Sequence, residues 1–478
     1  MDFLFQSRWR FLLPYFFIAT IYIVGSAYVG LNGTHVWRQS DVYAQILGFY
    51  DPSGFSVFMD FLGKRIAYDI PLYQWGVGGL ARVLHVDPLV FSHYVNLILW
   101  GVVLLYGARF VELFDGQGKY FFPVVFLVSP LYLHYFSVPL PDVMVLSFSV
   151  VASFYYLSGA SVWTRRIIPS GLFFVAALVK SPVAFVFVVF LFVHGLMTGK
   201  WRQIFSPKNW LWLFPFLMAL VGAVAAELLR KKILGTDVSG FAQDPAWYFG
   251  TMGLRLDPQF WKVIFQRLLD TAPNAVLGYF YLFIIGVAFF TGLRRDILIP
   301  VVVAFFSGWL VFSNVNYYHD YYQIPMVFVF FVLVSMAFSS VCRTLCLPYV
   351  LNVTGKQAST RNAALELSVV FLSVVLVFYV GRSQDWHRAT AQDALEYSLQ
   401  GYREFIWVGR EAKDPTIGGY SGKYARWVKQ EDFDAHCRNY VDMGYPIVYG
   451  GGSDCLRSMR VEAKLYVDYG WLTIFIKE

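Results

Sequence analysis

IIPSGLFFVAALVKSPVAFVFVVFLFVHGLMT, residues 167–198, decides how the chain is read, because it contains a single charged side chain, Lys180. At 1.5 Å per residue one continuous helix of this stretch would run about 48 Å, far beyond a hydrocarbon core of about 30 Å. Lys180-Ser181-Pro182 interrupts it, and proline in a helix interior removes a donor and clashes with the preceding turn. Two short membrane spans, 167–180 and 182–198, are therefore predicted, meeting at Lys180.

The rest of the chain has the same character. Of 478 residues 58% are hydrophobic and 20% aromatic, while 14% are charged, against about a quarter in a soluble domain. Phe11 to Val29, Val183 to Met197 and Val327 to Val341 carry no Asp, Glu, Lys or Arg. A soluble enzyme is excluded, and so is a β-barrel, whose strands alternate instead of running continuously apolar. The fold class is an all-α polytopic membrane protein with spans near 11–30, 89–109, 120–137, 142–159, 167–180, 182–198, 209–229, 274–292, 296–313, 324–341 and 364–381, about eleven passes. The first is too long for a signal-peptide core and is read as an uncleaved span.

Positive charge sets the orientation. With the split at Lys180, Arg8/Arg10, Arg109/Lys119, Arg165/Arg166, Lys200/Arg202/Lys208, Arg294/Arg295 and Arg343/Lys356/Arg361 all fall on the cytoplasmic side, which gives N-in and C-out. With one pass there, the later loops would reverse. Net charge is +7, from 38 Lys plus Arg against 31 Asp plus Glu, without the basic clusters of a nucleic-acid surface. Residues 31–88, 230–273 and 382–478 then lie outside. In the first of these, Val42 to Tyr50 and Pro71 to Leu84 suit helices lying in the interface. The tail is charged, contains Gly450-Gly451-Gly452 and alternates from Lys464 to Ile476, so residues 382–478 are expected to form a small extracytoplasmic α/β domain after a transmembrane domain, 1–381. Cys342 and Cys346 fall on the reducing side. Cys437 and Cys455 lie in the outer tail, where an oxidising compartment permits a disulfide without requiring one.

Walker A, H-E-x-x-H and G-x-S-x-G sequences are absent, so an ATPase, zincin or serine-hydrolase reading has no support. The densest polar run is His35-Val36-Trp37-Arg38-Gln39-Ser40-Asp41, just after the first span. It admits two readings: an interfacial anchor with Trp37 at headgroup level and Arg38 paired to Asp41 or lipid phosphate, or a site in which Asp41 is a general base.

This run, followed by Asp69-Ile70-Pro71-Leu72-Tyr73-Gln74, resembles the first outer loop of bacterial GT-C glycosyltransferases, the group of protein O-mannosyltransferases and lipid A aminoarabinose transferases, with their W-R-Q-x-D-T-A and E-F-P-L-Y-Q. The resemblance continues through Pro141-Asp142, Leu178-Val179-Lys180-Ser181-Pro182 and His319-Asp320-Tyr321-Tyr322-Gln323-Ile324-Pro325, and covers roughly residues 1–345. Val42-Tyr43-Ala44 departs from the usual Thr-Ala, and Asp69 replaces a Glu.

The resemblance implies transfer of a sugar, with inversion, from a polyprenyl-phosphate donor to a hydroxyl or amine of a cell-envelope glycan, lipid or protein at the outer face of the bacterial inner membrane. It implies Asp41 as the base that takes the acceptor proton. Lys180 would meet the charge on the leaving phosphate, unless it is a snorkelling lysine, with Arg38 and His319 as further phosphate partners. Asp69 and Asp142 would line the same cavity and hold acceptor hydroxyls or orient the cations, although Asp142 also suits a helix start. Trp37, Gln39, Asp320, Tyr321 and Tyr322 complete the expected substrate contacts. No cofactor is called for; such carboxylates admit a divalent cation, but no motif indicates one. Two other readings stay open: a carrier or flippase of lipid-linked sugars, which would need charged residues within spans from both halves, and a polysaccharide polymerase or ligase centred on Arg230, Lys231, Lys232 and Arg255 in the late outer loop.

Overall fold

The computed structural model describes residues 7–26, 36–51, 70–159, 161, 163–199, 212–234, 245–290, 293–351, 404–409, 424–443, 446–450, 454–459, 463–468 and 472–477. Span 364–381, Asp69, Lys200, Arg202, Lys208, Lys356 and Arg361 lie outside them.

Among the described residues four helical stretches are long and apolar enough to cross a membrane: Pro88–Glu112, Pro141–Ser158, Trp163–Met197 and Asp320–Thr344, with shorter apolar helices at Arg10–Ser26, Gly118–Leu127, Phe214–Leu229 and Ala275–Phe290. In chain order the helices are α1 (Leu13–Ser26), α2 (Val36–Tyr50), α3 (Leu72–Leu84), α4 (Pro88–Glu112), α5 (Phe122–Leu127), α6 (Pro130–Phe136), α7 (Pro141–Ser158), α8 (Ile168–Met197), α9 (Phe214–Leu234), α10 (Pro245–Phe249), α11 (Met252–Leu256), α12 (Pro258–Leu269), α13 (Ala275–Phe290), α14 (Arg295–Val311), α15 (Ser313–Tyr318) and α16 (Ile324–Leu351).

α8 is broken at Lys180, whose backbone is extended (φ −152°, ψ 87°). Its two halves form a hairpin. At the break Lys180 meets Asp142, at the start of α7. Before the break, the Arg166 guanidinium lies 3.3 Å over Trp212 and 5.1 Å over Tyr156, near the end of α7. After it, Phe190 packs on Phe110 and His194 on Phe114, near the end of α4. Ser147 of α7 donates to the Leu99 carbonyl of α4 at 3.3 Å and Tyr106 of α4 bonds Tyr155 of α7 at 3.2 Å, so α4 and α7 run parallel and both ends of the 167–198 stretch return to one side. That side gathers charge: Arg343 donates to Asp115 at 2.7 Å, Arg294 to the Phe114 carbonyl at 3.4 Å, and Lys119 to Glu112 at 2.6 Å. Loops separated widely in sequence but alike in positive charge thus share one end of the bundle.

The stretch 120–137 is not the single span expected. It divides into α5 and α6 at Ser129, held extended (φ −74°, ψ 117°) ahead of Pro130. Proline's ring disfavours helical backbone in the residue before it, and proline then suits the first position of a new helix.

In the first loop α2 begins at Val36, so the whole W-R-Q-S-D run is helical and not only 42–50. α3 packs on it closely, with a Cβ at Gly78 placed 2.4 Å from the Ile46 carbonyl. Two residues of the D-I-P-L-Y-Q motif fasten this layer: Gln74 donates to Gln45 at 3.1 Å, and Tyr73 to Asn96 of α4 at 2.9 Å. Asn96 in turn donates to the Val138 carbonyl at 2.7 Å, tying the first loop to the segment that leads into α7.

α9 lies against the first half of α8 through Gly222, where a Cβ would sit 2.4 Å from the Phe174 carbonyl. Backbone cannot yield cheaply, so Gly222→Val is expected to cost about 1–3 kcal/mol by overpacking. Gly25→Ala, with nothing within 4 Å of its Cβ, is the control. Thermal unfolding in detergent that lowers both variants equally would contradict this packing.

The C-terminal part holds a five-stranded sheet of order β2-β1-β3-β5-β4, made of β1 (Glu404–Gly409), β2 (Tyr424–Lys429), β3 (Ile447–Gly450), β4 (Ala463–Asp468) and β5 (Leu472–Lys477). β1 pairs parallel with β2 and β3, while β5 is antiparallel to β3 and β4. α17 (Gln430–Asp442) and α18 (Asp454–Ser458) cover one face, where Ile406, Ile447 and Tyr449 pack with Phe433, Cys437 and Leu456. Alternation in β3 sends Val448 the other way, into the core of the helical part. Cys437 and Cys455 are disulfide-bonded, with Cα atoms 6.5 Å apart, which joins α17 to α18 behind the sheet.

Candidate active site

The break in α8, the start of α7 and the segment before α16 converge at one end of the bundle. Pro141 opens α7, its missing N–H costing nothing at a helix start, and this places Asp142 in the first turn. The Lys180 ammonium donates to Asp142 Oδ2 at 2.8 Å and lies 2.7 Å from Oδ1. Both side chains are buried, Lys180 4% and Asp142 0% exposed. The rings of Tyr321 and Tyr322 each lie 4.5 Å from the same ammonium, a cation–π arrangement that gains strength when water is excluded. Lys180 therefore does not snorkel: it turns inward to an anion. Asp142 is at once a helix-start residue and half of an ion pair.

His319 stacks on Tyr321, with ring centroids 5.2 Å apart and planes at 17°. Beside it Asp320 accepts a hydrogen bond from the Tyr135 hydroxyl of α6. Arg267 of α12 is a neighbour of this carboxylate and donates to the Asn316 carbonyl at 2.5 Å. Burial pushes the Arg267 guanidinium below its ordinary pKa, and Asp320 pulls it back up. Tyr135 and Arg267 escaped the sequence reading. Arg267 could have been found on a helical wheel, since Phe260, Ile264 and Leu268 form the buried stripe of α12 and Arg267 flanks it; Tyr135 gave no signal, because the broken helix that aims it was read as one span.

Gln323, the last polar residue of the H-D-Y-Y-Q run, is 1% exposed, and its Nε2 has no hydrogen-bond partner among the described residues. An unsatisfied buried amide costs about 1–3 kcal/mol, a cost tolerated where a polar ligand or water is received.

Asp142, Lys180, His319, Asp320, Tyr321 and Tyr322 are thus brought together from three separate segments. Arg38 and Gln39 are buried in α2. Trp37 and Asp41 stand on α2 as well, Asp41 one helical turn beyond Arg38; their side chains lie outside the described residues, as does all of Asp69. Arg255, a candidate under the polymerase reading, instead donates to the Phe249 and Leu310 carbonyls at 2.5 and 2.7 Å and clamps α10 and α11 to the end of α14.

Chemically, the cluster offers a buried ammonium, two carboxylates in different surroundings and stacked aromatic rings at the end of a helical bundle. It can hold an anionic group at the ammonium and a polar group beside it.

No protein-family model matches the chain, and no curated protein matches it in sequence. Solved structures do. ArnT from Cupriavidus metallidurans bound to undecaprenyl phosphate is similar over 98% of this chain and 98% of its own, at 12% identity and a TM-score of 0.63; the apo state of the same protein gives 0.59 over the same spans, also at 12% identity. The archaeal oligosaccharyltransferase AglB from Archaeoglobus fulgidus, in complex with an inhibitory peptide and a dolichol-phosphate, is similar over 93% of this chain and 69% of its own, at 9% identity and a TM-score of 0.55. The chain therefore shares the fold of these two proteins.

Proposed function

We propose that this protein is an integral-membrane inverting glycosyltransferase that moves a sugar from a polyprenyl-phosphate donor to a hydroxyl or amine of a cell-envelope glycan, lipid or protein. The carrying observation is the buried Asp142–Lys180 pair roofed by Tyr321 and Tyr322 at a break between two short helices. An ammonium held there suits the phosphate of a lipid whose chain stays in the bilayer, and it stabilises the charge that grows on that phosphate as the sugar leaves. The similar structures support the donor class, one having been solved with undecaprenyl phosphate and the other with a dolichol-phosphate. Asp41 is the base, Arg38 and His319 assist at the phosphate, and Asp69, Asp142, Trp37, Gln39, Asp320, Tyr321 and Tyr322 hold the substrates.

In this reading the helical part, residues 1–381, crosses the bacterial inner membrane about eleven times with its N-terminus inside, and residues 382–478 form a small outer α/β domain. Buried Asp142 and Lys180, with His319 and Asp320 beside them, meet at a single end of the bundle, which favours a transferase over a carrier, whose charges would line a path through both halves.

Purified protein in lipid, given a panel of polyprenyl-phosphate sugars and envelope extracts, is expected to consume at least one donor and label an acceptor. If no donor is consumed while a lipid-linked sugar crosses the bilayer of sealed vesicles, the carrier replaces this reading.

A further inference from the structure

We propose that Arg165 and Arg166, at the end of the bundle opposite the Asp142–Lys180 pair, form a binding site for the phosphate of an anionic phospholipid in the leaflet at that end. The inference goes beyond the transferase reading and does not depend on it.

Three observations carry it. First, Arg166 is set into the protein. Asp142 opens α7 and Tyr156 lies about 21 Å further along it. There the Arg166 guanidinium, 5% exposed, fills a corner between Tyr156 and Trp212, whose rings meet at 86°; it lies 5.1 Å from the first ring and 3.3 Å from the second. An arginine that serves topology alone extends to water or headgroups. Arg165 presses its stem on the last turn of α7, where a Cβ at Gly159 would sit 2.8 Å from Arg165 Cγ. Its Nε is buried without a hydrogen-bond partner among the described residues.

Second, the two cations have no counter-ion. A guanidinium carries five N–H donors, and that of Arg166 makes one hydrogen bond among the described residues, from Nη1 to the Arg165 carbonyl at 2.9 Å. Neither arginine pairs with a carboxylate among those residues. No Asp or Glu occurs between Asp142 and Glu227. The described carboxylates at this end are held elsewhere, Glu112 by Lys119, Asp115 by Arg343 and Asp296 by Arg294. Aromatic faces offset part of the cost of burying one cation, but adjacent guanidinia repel, and an anion shared between them relieves the repulsion and takes up the open donors.

Third, the surroundings suit a lipid. The π-turn Trp163–Ile167 that carries both arginines leaves Trp163 70% exposed, and Ile168 beside it is exposed as well. A tryptophan flanking a span sits at headgroup level, and basic pockets between helices at that level take anionic headgroups. The acyl chains of such a lipid would lie along the apolar surface that Ile168 begins.

The test uses the full chain in detergent, with dioleoylphosphatidylglycerol and the zwitterionic dioleoylphosphatidylcholine as probes and mass spectrometry of the intact protein as the readout. Wild type is expected to retain phosphatidylglycerol about tenfold or more tightly than phosphatidylcholine, the scale of one charge-assisted hydrogen bond. Arg165→Gln and Arg166→Gln should each abolish that preference, while Arg294→Gln, which removes a positive charge at the same end but outside the corner, should keep it. Equal retention of the two lipids by wild type overturns the proposal. So does an equal loss in Arg294→Gln, which would make the preference a general attraction to a positive surface, and so does displacement of the lipid by an equal concentration of glycerol phosphate, which would make the site one for soluble anions. Should Arg166→Gln fail to fold, the half-buried Arg165 decides: a folded Arg165→Gln that keeps the preference overturns the proposal.

Discussion

Asp41→Asn is expected to lower sugar transfer at least a hundredfold while leaving donor binding near wild type. The substitution keeps size and shape and removes the group able to take a proton. An acceptor hydroxyl attacking an oxocarbenium-like centre must lose its proton as the bond forms, and a positioned carboxylate contributes about a hundredfold to ten-thousandfold to such a step. Asp41 stands in α2, in a layer fixed by the Gln74–Gln45 and Tyr73–Asn96 hydrogen bonds, so a local change there should leave the helical core intact. The measurement is single-turnover transfer alongside binding of the lipid donor to the same preparation. Transfer within tenfold of wild type would remove Asp41 as the base and shift attention to Asp142 or Asp320.

Lys180→Met should fail in two ways at once. It takes the Lys180 ammonium from a carboxylate that is 0% exposed, and breaking a buried ion pair by removing one member costs about 3–5 kcal/mol. It also removes the cation placed for the leaving phosphate, and losing one preorganised electrostatic contact of that kind lowers turnover by about a hundredfold to a thousandfold. The neutral double variant with Asp142→Asn separates the effects: thermal stability should return toward wild type while transfer stays low. Recovery of both together would make the pair purely structural.

The apolar runs made the membrane-helical class and most helix positions legible, because backbone polar groups in hydrocarbon must be satisfied within each segment, which is a local demand. Pro182 marked the break at Lys180 for the same reason. Ser129-Pro130 was an equally local signal at the division of 120–137, but the apolar run around it masked it. The strands within 463–477 were announced by alternation, although their division into β4 and β5 with a reversal between them depends on pairing with β3.

The order of the motifs, the polar run after the first span and a lysine at a proline break followed from the amino-acid sequence. Each depends on neighbours a few residues away, and the bilayer and the peptide backbone impose the same rules everywhere. Which of those residues meet was settled by packing. Lys180 reaches Asp142 across 38 positions and Tyr135 reaches Asp320 across 185, because two breaks, at Ser129 and at Lys180, turn short helices so that their polar ends coincide. Arg267 joined the site because the buried stripe of α12 fixed that helix's rotation. A helix's rotation and tilt depend on every neighbour it touches, a long-range balance that sequence order does not encode one segment at a time.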